Sequence, residues 1–137
     1  MGDFNGRVVV VTGATSGIGA ATAKNAKLGA NVALIGRNQQ RGVQLENELK
    51  QYGVNASFIA CDVSDLKQVE TMAAQVGKSF GRVDVLFNNA GVMLPSMEIE
   101  RMPVDTWQET FNININGIFY VTRSIKPYLL ESHGTII

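Results

Sequence analysis

Short apolar runs alternate with segments of helical length along the whole chain, and no other feature limits the fold as much. Residues 8–11 (Val-Val-Val-Val), 31–35, 56–60 and 83–87 are strand-like, and residues 134–137 (Gly-Thr-Ile-Ile) open like a fifth strand. Each interval is long enough for a helix that crosses over a sheet, so the strands are expected to run parallel with helices covering both faces. This predicts an α/β protein, a three-layer doubly wound parallel sheet. Helices are expected over residues 17–28, stopped by Gly29, and over about 39–52, stopped by Gly53. A third begins after Ser64 and ends near Phe80-Gly81, with Leu66, Val69, Met72, Ala73 and Val76 at helical spacing. A fourth begins after Pro103, where Trp107, Phe111, Ile115, Ile118, Phe119, Thr122 and Ile125 fall at three- and four-residue steps. That stripe reads as core, and Pro127 is expected to bend or break the helix beyond it. Residues 91–102 form the one long loop, placed where ligands meet such sheets.

Composition bounds the function classes. A chain of 137 residues, 45% apolar and 18% charged, has the material for one packed domain and lacks the signature of disorder. Twelve basic and twelve acidic residues cancel, so no global field draws the chain to nucleic acid or to an anionic membrane. One cysteine, Cys61, excludes an internal disulfide, and with the lone His133 it cannot make a zinc site, so no metal is expected. No apolar run reaches the length of a membrane span, and the start, Met-Gly-Asp-Phe-Asn-Gly-Arg, matches neither a secretory nor a myristoylation signal. A cytoplasmic protein is the expectation. Asn55-Ala56-Ser57 fits the glycosylation triplet, a pattern that arises often by chance.

Chemistry enters after the first strand. Thr12-Gly13-Ala14-Thr15-Ser16-Gly17-Ile18-Gly19 leads straight into the first helix. Gly13 permits the tight turn, Gly17 lets a pyrophosphate approach the backbone, and Gly19 lets the helix pack close to the sheet. In this context the motif predicts a dinucleotide held by Thr12, Gly13, Ser16, Gly17, Ile18 and Gly19. The end of the second strand decides which dinucleotide. An NAD site usually places an acid there, whereas this chain reads Ile35-Gly36-Arg37-Asn38 and its next acid is Glu46. Arg37 suits a 2′-phosphate, so NADP(H) is expected, with NAD less favoured.

These residues also carry a family resemblance. Thr12 to Gly19, Cys61-Asp62-Val63-Ser64, Asn88-Asn89-Ala90-Gly91 and Asn114-Ile115-Asn116-Gly117 resemble four successive motifs of the short-chain dehydrogenase/reductase family, in family order and spacing. The resemblance implies a Rossmann-type sheet in strand order 3-2-1-4-5. It implies that Asp62 and Val63 lie beside the adenine, with the carboxylate toward the exocyclic amine. Asn89 would brace the sheet, Ala90 and Gly91 would leave room for ribose and nicotinamide, and Asn114 would help hold a water of the catalytic proton relay. Apart from the family, Asn112, Asn114 and Asn116 in one apolar helix favour a polar network, because asparagine is a poor interior helix former. The resemblance further implies a small-molecule carbonyl or alcohol substrate, and pairing of copies through the fourth helix.

The sequence departs from the family pattern twice. The family's Ser and Tyr-x-x-x-Lys pair are not found: four residues after Tyr52, Tyr120 and Tyr128 come Ala56, Ser124 and Ser132. The chain is therefore expected to be the amino-terminal part of a dinucleotide-binding domain, cut in its fifth strand, with little or no turnover. The alternative is a dinucleotide-binding or interaction module. In addition, the first helix is about one residue shorter than the family's, a step worth roughly 100° of rotation. Ala20-Ala21-Thr22-Ala23-Lys24-Asn25-Ala26-Lys27 also gives it a thin core face.

Overall fold

The computed structural model describes residues 4–137. Met1, Gly2 and Asp3, on which part of the reading of the chain start falls, lie outside the described residues. Strands β1 (Val8–Thr12), β2 (Asn31–Gly36), β3 (Ala56–Ala60), β4 (Val85–Phe87) and β5 (Thr135–Ile136) form one parallel sheet in the order β3-β2-β1-β4-β5. Helices α1 (Gly17–Ala23), α2 (Gln39–Lys50), α3 (Leu66–Phe80), α4 (Val104–Phe111) and α5 (Gly117–Ser132) complete the three layers.

Alternate side chains of each strand serve opposite faces. Val10, Ala33, Ile35 and Leu86 pack with Val69, Met72, Val76, Val121 and Ile125 on the α3/α5 side. Val11, Val32 and Leu34 pack with Ala23, Ala26, Leu45 and Leu49 on the α1/α2 side. The chain winds outward from β1 to β3 and then crosses back to β4, so the connections leaving β1 and β4 diverge. In sheets of this kind that divergence opens the crevice where ligands bind.

Side-chain caps set the starts of α2 and α3. Asp65 caps α3 by accepting a hydrogen bond from the Gln68 N–H at 3.2 Å, and the helix stops at Gly81. That hydrogen bond is the main cause that holds the Asp65 carboxyl below its ordinary value. Asn38 caps α2 in the same way, accepting from the Arg41 N–H at 2.9 Å.

The expected first helix appears in two parts. It is α-helical only to Ala23, and Lys24–Leu28 continue it as a 3₁₀ helix of five residues that ends at Gly29. A 3₁₀ helix turns about 20° more per residue than an α-helix, which over the five residues of this segment adds about 100° of twist. Ala26 is thereby buried in the same core cluster as Ala23, so the thin face is the one that packs against the sheet.

The fourth expected helix is where the reading of the core fails. Five residues, Asn112–Asn116, form a π-turn between α4 and α5. A π-turn adds a residue to one turn and shifts the phase of everything after it. Trp107 and Phe111, ahead of the turn, and Ile115, Ile118 and Phe119, in and beyond it, lie exposed, Phe119 at 59%. Of the expected stripe Ile125 is buried, and the other core contacts come from Ile113, Gly117, Val121 and Leu129. Pro127 does not break α5, which runs through it to Ser132. Pro127 and Arg123, whose carbonyl loses its partner, both lie on the exposed side, while Ile125 and Leu129 stay buried on either side of the proline.

β4 is also shorter than expected. Val83 donates its N–H to the Tyr128 carbonyl at 3.1 Å rather than to the sheet. Next to it Asp84, only 6% exposed, accepts from the Val8 N–H and from the side chains of Arg7 and Arg82 at 2.6–3.2 Å. Burial pushes this carboxyl up, but the Arg82, Val8 and Arg7 hydrogen bonds outweigh it and hold the group below its ordinary value.

Candidate functional site

At the carboxyl ends of β1, β2 and β4 a cavity of about 240 Å³ opens between the loops. Of the residues expected at a dinucleotide site, Gly13, Ser16, Arg37, Asp62, Val63, Ala90 and Gly91 line it. Thr12, Gly17, Ile18, Gly19, Asn89 and Asn114 do not line it: Thr12 is buried, and Ile18 is 72% exposed.

One buried hydroxyl holds the two sides together. Thr12 Oγ1 accepts from the backbone N–H groups of Asn89 and Ala90, each at 3.0 Å, and donates to the Phe87 carbonyl at 3.4 Å. Asn89 answers with its side chain: Nδ2 donates to the carbonyls of Thr12 and Gly13 at 3.1 and 3.3 Å. Loops 12–16 and 88–91 are thereby locked to each other, which is the bracing the resemblance implied for Asn89. Gly19 sits against the Gly13 carbonyl and Asn89 Nδ2, so α1 approaches the sheet as closely as backbone allows.

The part of the cavity facing α1 is left clear for a ligand. Gly17 has φ +54° and nothing of the chain lies within 4 Å of where its Cβ would be. Ser16 occupies the capping position of α1, yet its hydroxyl makes no cap hydrogen bond. At the end of β2, Arg37 and Asn38 form the rim, and Arg37 has no carboxylate partner among the described residues. Asp62 lies on the opposite wall. Its Oδ1 accepts from the Ser64 N–H at 3.0 Å and the Ser64 hydroxyl at 2.7 Å, which leaves Oδ2 without a partner among the described residues. Burial, with the nearby carboxylates of Asp62 and Asp65, pushes the Cys61 thiol up to about 11, so it stays protonated and unreactive at neutral pH.

Asn114 lies in the π-turn, and its carboxamide is fully aligned with one residue of the opposite loop. Oδ1 accepts from the Val92 N–H and Nδ2 donates to the Val92 carbonyl, both at 2.8 Å. A Cβ on Gly91 would come within 3.2 Å of the same oxygen. The single asparagine network expected here is two separate features, because the π-turn rotates the three residues apart. Asn116 Nδ2 donates to Asn112 Oδ1 at 2.9 Å on the exposed side, away from Asn114.

The cavity also includes residues not expected from sequence: Thr15, Ile35, Gly36, Asn38, Cys61, Val92 and Ile113. Asn38 carried a usable signal, an Asn directly before a helix start. Gly36 did too, since the Thr15 methyl packs where its Cβ would stand. Ile113 carried none, because only the π-turn brings it to the cavity.

Comparison with known proteins settles the lineage. The chain matches the family model described as short chain dehydrogenase over residues 7–137. The protein is a member of the short-chain dehydrogenase family. It is 36% identical over its whole length to a 3β-hydroxysteroid dehydrogenase of Mediterraneibacter gnavus, of which the match covers 50%. Among solved structures of the family, an NAD⁺-bound xylitol dehydrogenase superposes with TM-score 0.92 at 33% identity, over 98% of this chain and 52% of that one. An L-sorbose reductase from Gluconobacter frateurii, complexed with NADPH and L-sorbose, superposes with TM-score 0.90 at 31% identity, over 99% and 52%. The chain thus spans about half the length of the relatives it matches. Both kinds of nicotinamide dinucleotide occur among these neighbours, and family enzymes act on small molecules. No helix among the described residues is long and apolar enough to cross a membrane, and no cluster of metal-ligating side chains occurs among them.

Proposed function

We propose that this chain is the dinucleotide-holding part of an oxidoreductase that uses NADP(H) to interconvert a carbonyl and an alcohol on a small molecule. The observation that carries the choice of cofactor is the rim at the end of β2, where Arg37 stands unpaired and no carboxylate is present. A guanidinium there favours a 2′-phosphate through charge-assisted hydrogen bonds, and NAD, lacking that phosphate, is the weaker ligand. A cofactor bound in this cavity would supply the hydride chemistry.

Each wall then has a task. Gly13, Ser16, Gly17, Ile18 and Gly19 form the pyrophosphate side, where the bare Gly17 backbone and the uncommitted Ser16 hydroxyl fit an anion. Asp62, through its unpartnered Oδ2, and Val63 take the adenine. Ala90 and Gly91 take the nicotinamide ribose, and Thr12 and Asn89 keep the two loops in register. Asn114 fixes Val92 at the nicotinamide end, and its second amide hydrogen remains for a water of the proton relay.

Reduction of a carbonyl leaves an alkoxide that needs a proton, and the absence of a positioned donor costs about 10²- to 10⁴-fold in rate. The 137 residues contain no tyrosine followed four residues later by lysine. We therefore expect the chain to bind cofactor with turnover lowered by that order, as a single incomplete dinucleotide-binding domain. A dinucleotide-binding or interaction module without turnover is the second reading, favoured by the same absence. We also propose that copies pair through the exposed face of α4 and α5. A reducing, cytoplasmic setting suits the lone buried Cys61.

Titration of the chain with NADPH and NADH tests the cofactor assignment. NADPH should bind more tightly, and Arg37→Asp should abolish or reverse the preference. Equal affinities before and after the substitution would refute it.

A further inference from the structure

We propose that Gln68, in the first turn of α3, is a positioning residue of the cofactor site: it holds the adenine wall at Asp62 in place before the ligand arrives. The inference rests on the assignment of Asp62 to the adenine made above, and it is independent of the choice between NADP(H) and NAD(H). Gln68 does not line the cavity and acts through the Asp62 backbone.

The sheet itself leaves Asp62 unsupported. β3 is an edge strand, and its N–H groups point alternately toward β2 and away from it. Cys61 donates its N–H to the Gly36 carbonyl at 3.0 Å, so the next N–H, that of Asp62, faces the side where no strand stands. Gln68 supplies the missing acceptor, Oε1 at 3.0 Å. Its Nε2 donates to Asp65 Oδ2 at 3.1 Å, so one carboxamide spans the loop from Asp62 to Asp65. Inside that span the Asp65 N–H donates to the Asp62 carbonyl at 3.1 Å, and Ser64 holds Asp62 Oδ1. The backbone and Oδ1 of Asp62 are therefore committed, and Oδ2 is the atom left over on a residue that lines the cavity.

Helix α3 alone does not need this arrangement. Asp65 already caps it by accepting from the Gln68 N–H at 3.2 Å. Gln68 is exposed, so fixing both ends of its carboxamide costs side-chain entropy. Only a carboxamide can accept from Asp62 and donate to Asp65 at once: glutamate keeps the acceptor alone, and lysine the donor alone. These two replacements separate a role in the loop from a role in the helix.

The test uses the full 137-residue chain, the variants Gln68→Glu, Gln68→Lys and Gln68→Met, and calorimetric titration with NADPH and NADH. Melting curves establish that each variant is folded. Gln68→Lys and Gln68→Met should weaken both dinucleotides by the same factor, roughly threefold to tenfold, because the loop must then be ordered on binding. Gln68→Glu should retain most of the affinity. That order runs against charge, since glutamate adds a negative and lysine a positive group near an anionic ligand. The dinucleotide analogue with hypoxanthine in place of adenine lacks the exocyclic amine, and Gln68→Lys should lose little affinity for it. If Gln68→Lys binds the adenine dinucleotides as well as the unmodified chain does, or better than Gln68→Glu, the role of Gln68 is overturned and the cofactor reading stands. An equal loss on the hypoxanthine analogue overturns it too, because the effect would then not pass through Asp62. If the unmodified chain binds neither dinucleotide, the cofactor reading fails and this inference with it.

Discussion

Replacing Gly19 and Gly17 separately by alanine should divide the fold from the ligand site, because the two glycines, seven and five residues after β1, serve different needs. A methyl group on Gly19 would land on the Gly13 carbonyl oxygen, 2.5 Å from Asn89 Nδ2 and 2.9 Å from the Gly13 carbonyl carbon. These are backbone atoms and a side chain already held by two hydrogen bonds, so relief requires α1 to move or Asn89 to let go of Thr12 and Gly13. Overpacking of this kind costs about 1–3 kcal/mol, and each hydrogen bond lost adds about 1 kcal/mol, so Gly19→Ala should cost about 3–5 kcal/mol. With an unfolding entropy of about 2.1 cal/mol/K per residue, that lowers the melting temperature by roughly 10–17 °C. Gly17→Ala meets open space and carries only the left-handed backbone penalty of about 1 kcal/mol, or roughly 3 °C. If the pyrophosphate lies against that backbone as proposed, the methyl meets it, and dinucleotide affinity should fall at least tenfold. Thermal melting and NADPH titration of both variants provide the check. Equal melting temperatures for the two would refute the packing argument, and unchanged affinity in Gly17→Ala would show that no phosphate approaches that backbone.

Two further outcomes follow from other parts of the molecule. The Asp84 carboxylate, held below its ordinary value against the push of burial, stabilises the fold fully above the unfolded carboxyl value near pH 4, and loses that contribution as the pH falls through its own lower value. Asp84→Asn should thus cost about 2–3 kcal/mol at pH 7 and progressively less in acid, read from denaturant melts at several pH values; a pH-independent difference would refute the assignment. Sedimentation of the chain at increasing concentration should show self-association, and Phe119→Lys on the exposed α5 face should shift it to monomer; a wild-type chain monomeric at every concentration would refute pairing through that face.

Sequence pattern resolved those elements in which one periodicity runs from cap to cap. The α3 stripe Val69, Met72, Ala73 and Val76 is buried as its spacing implied, and Asp65 and Gly81 bound it. The sheet order followed from motif resemblance, since spacing alone allows a parallel sheet without ordering its strands. The long segment from Val104 to Ser132 misled because it holds two apolar stripes, and the bulkier one was the wrong choice. The buried stripe Ile113, Gly117, Val121, Ile125 and Leu129 repeats every four residues and includes a glycine that packs against Val63. No 3.6-residue period crosses the π-turn without losing phase, so the core of α5 and the cavity position of Ile113 were hidden by the same extra residue. The dinucleotide loop was legible because its glycines answer to backbone geometry. The role of Thr12 as the tie between two loops depends on a residue 77 positions away and has no local mark.

The 3₁₀ turn at Lys24–Leu28 bears on how a chain of this family tolerates change in length. Helix α1 must deliver two things at fixed positions: the glycine loop at one end and Gly29, from which β2 enters the sheet, at the other. Between them the five residues Lys24–Leu28 hold about 100° more twist than α-winding would give, and the one that turns into the core is the small Ala26. Length between the two anchors is thus a soft variable, whereas angular phase is a hard one. Among related chains, gain or loss of one residue in this helix should accompany a switch between α and 3₁₀ winding, and should leave the cofactor loop and β2 where they are.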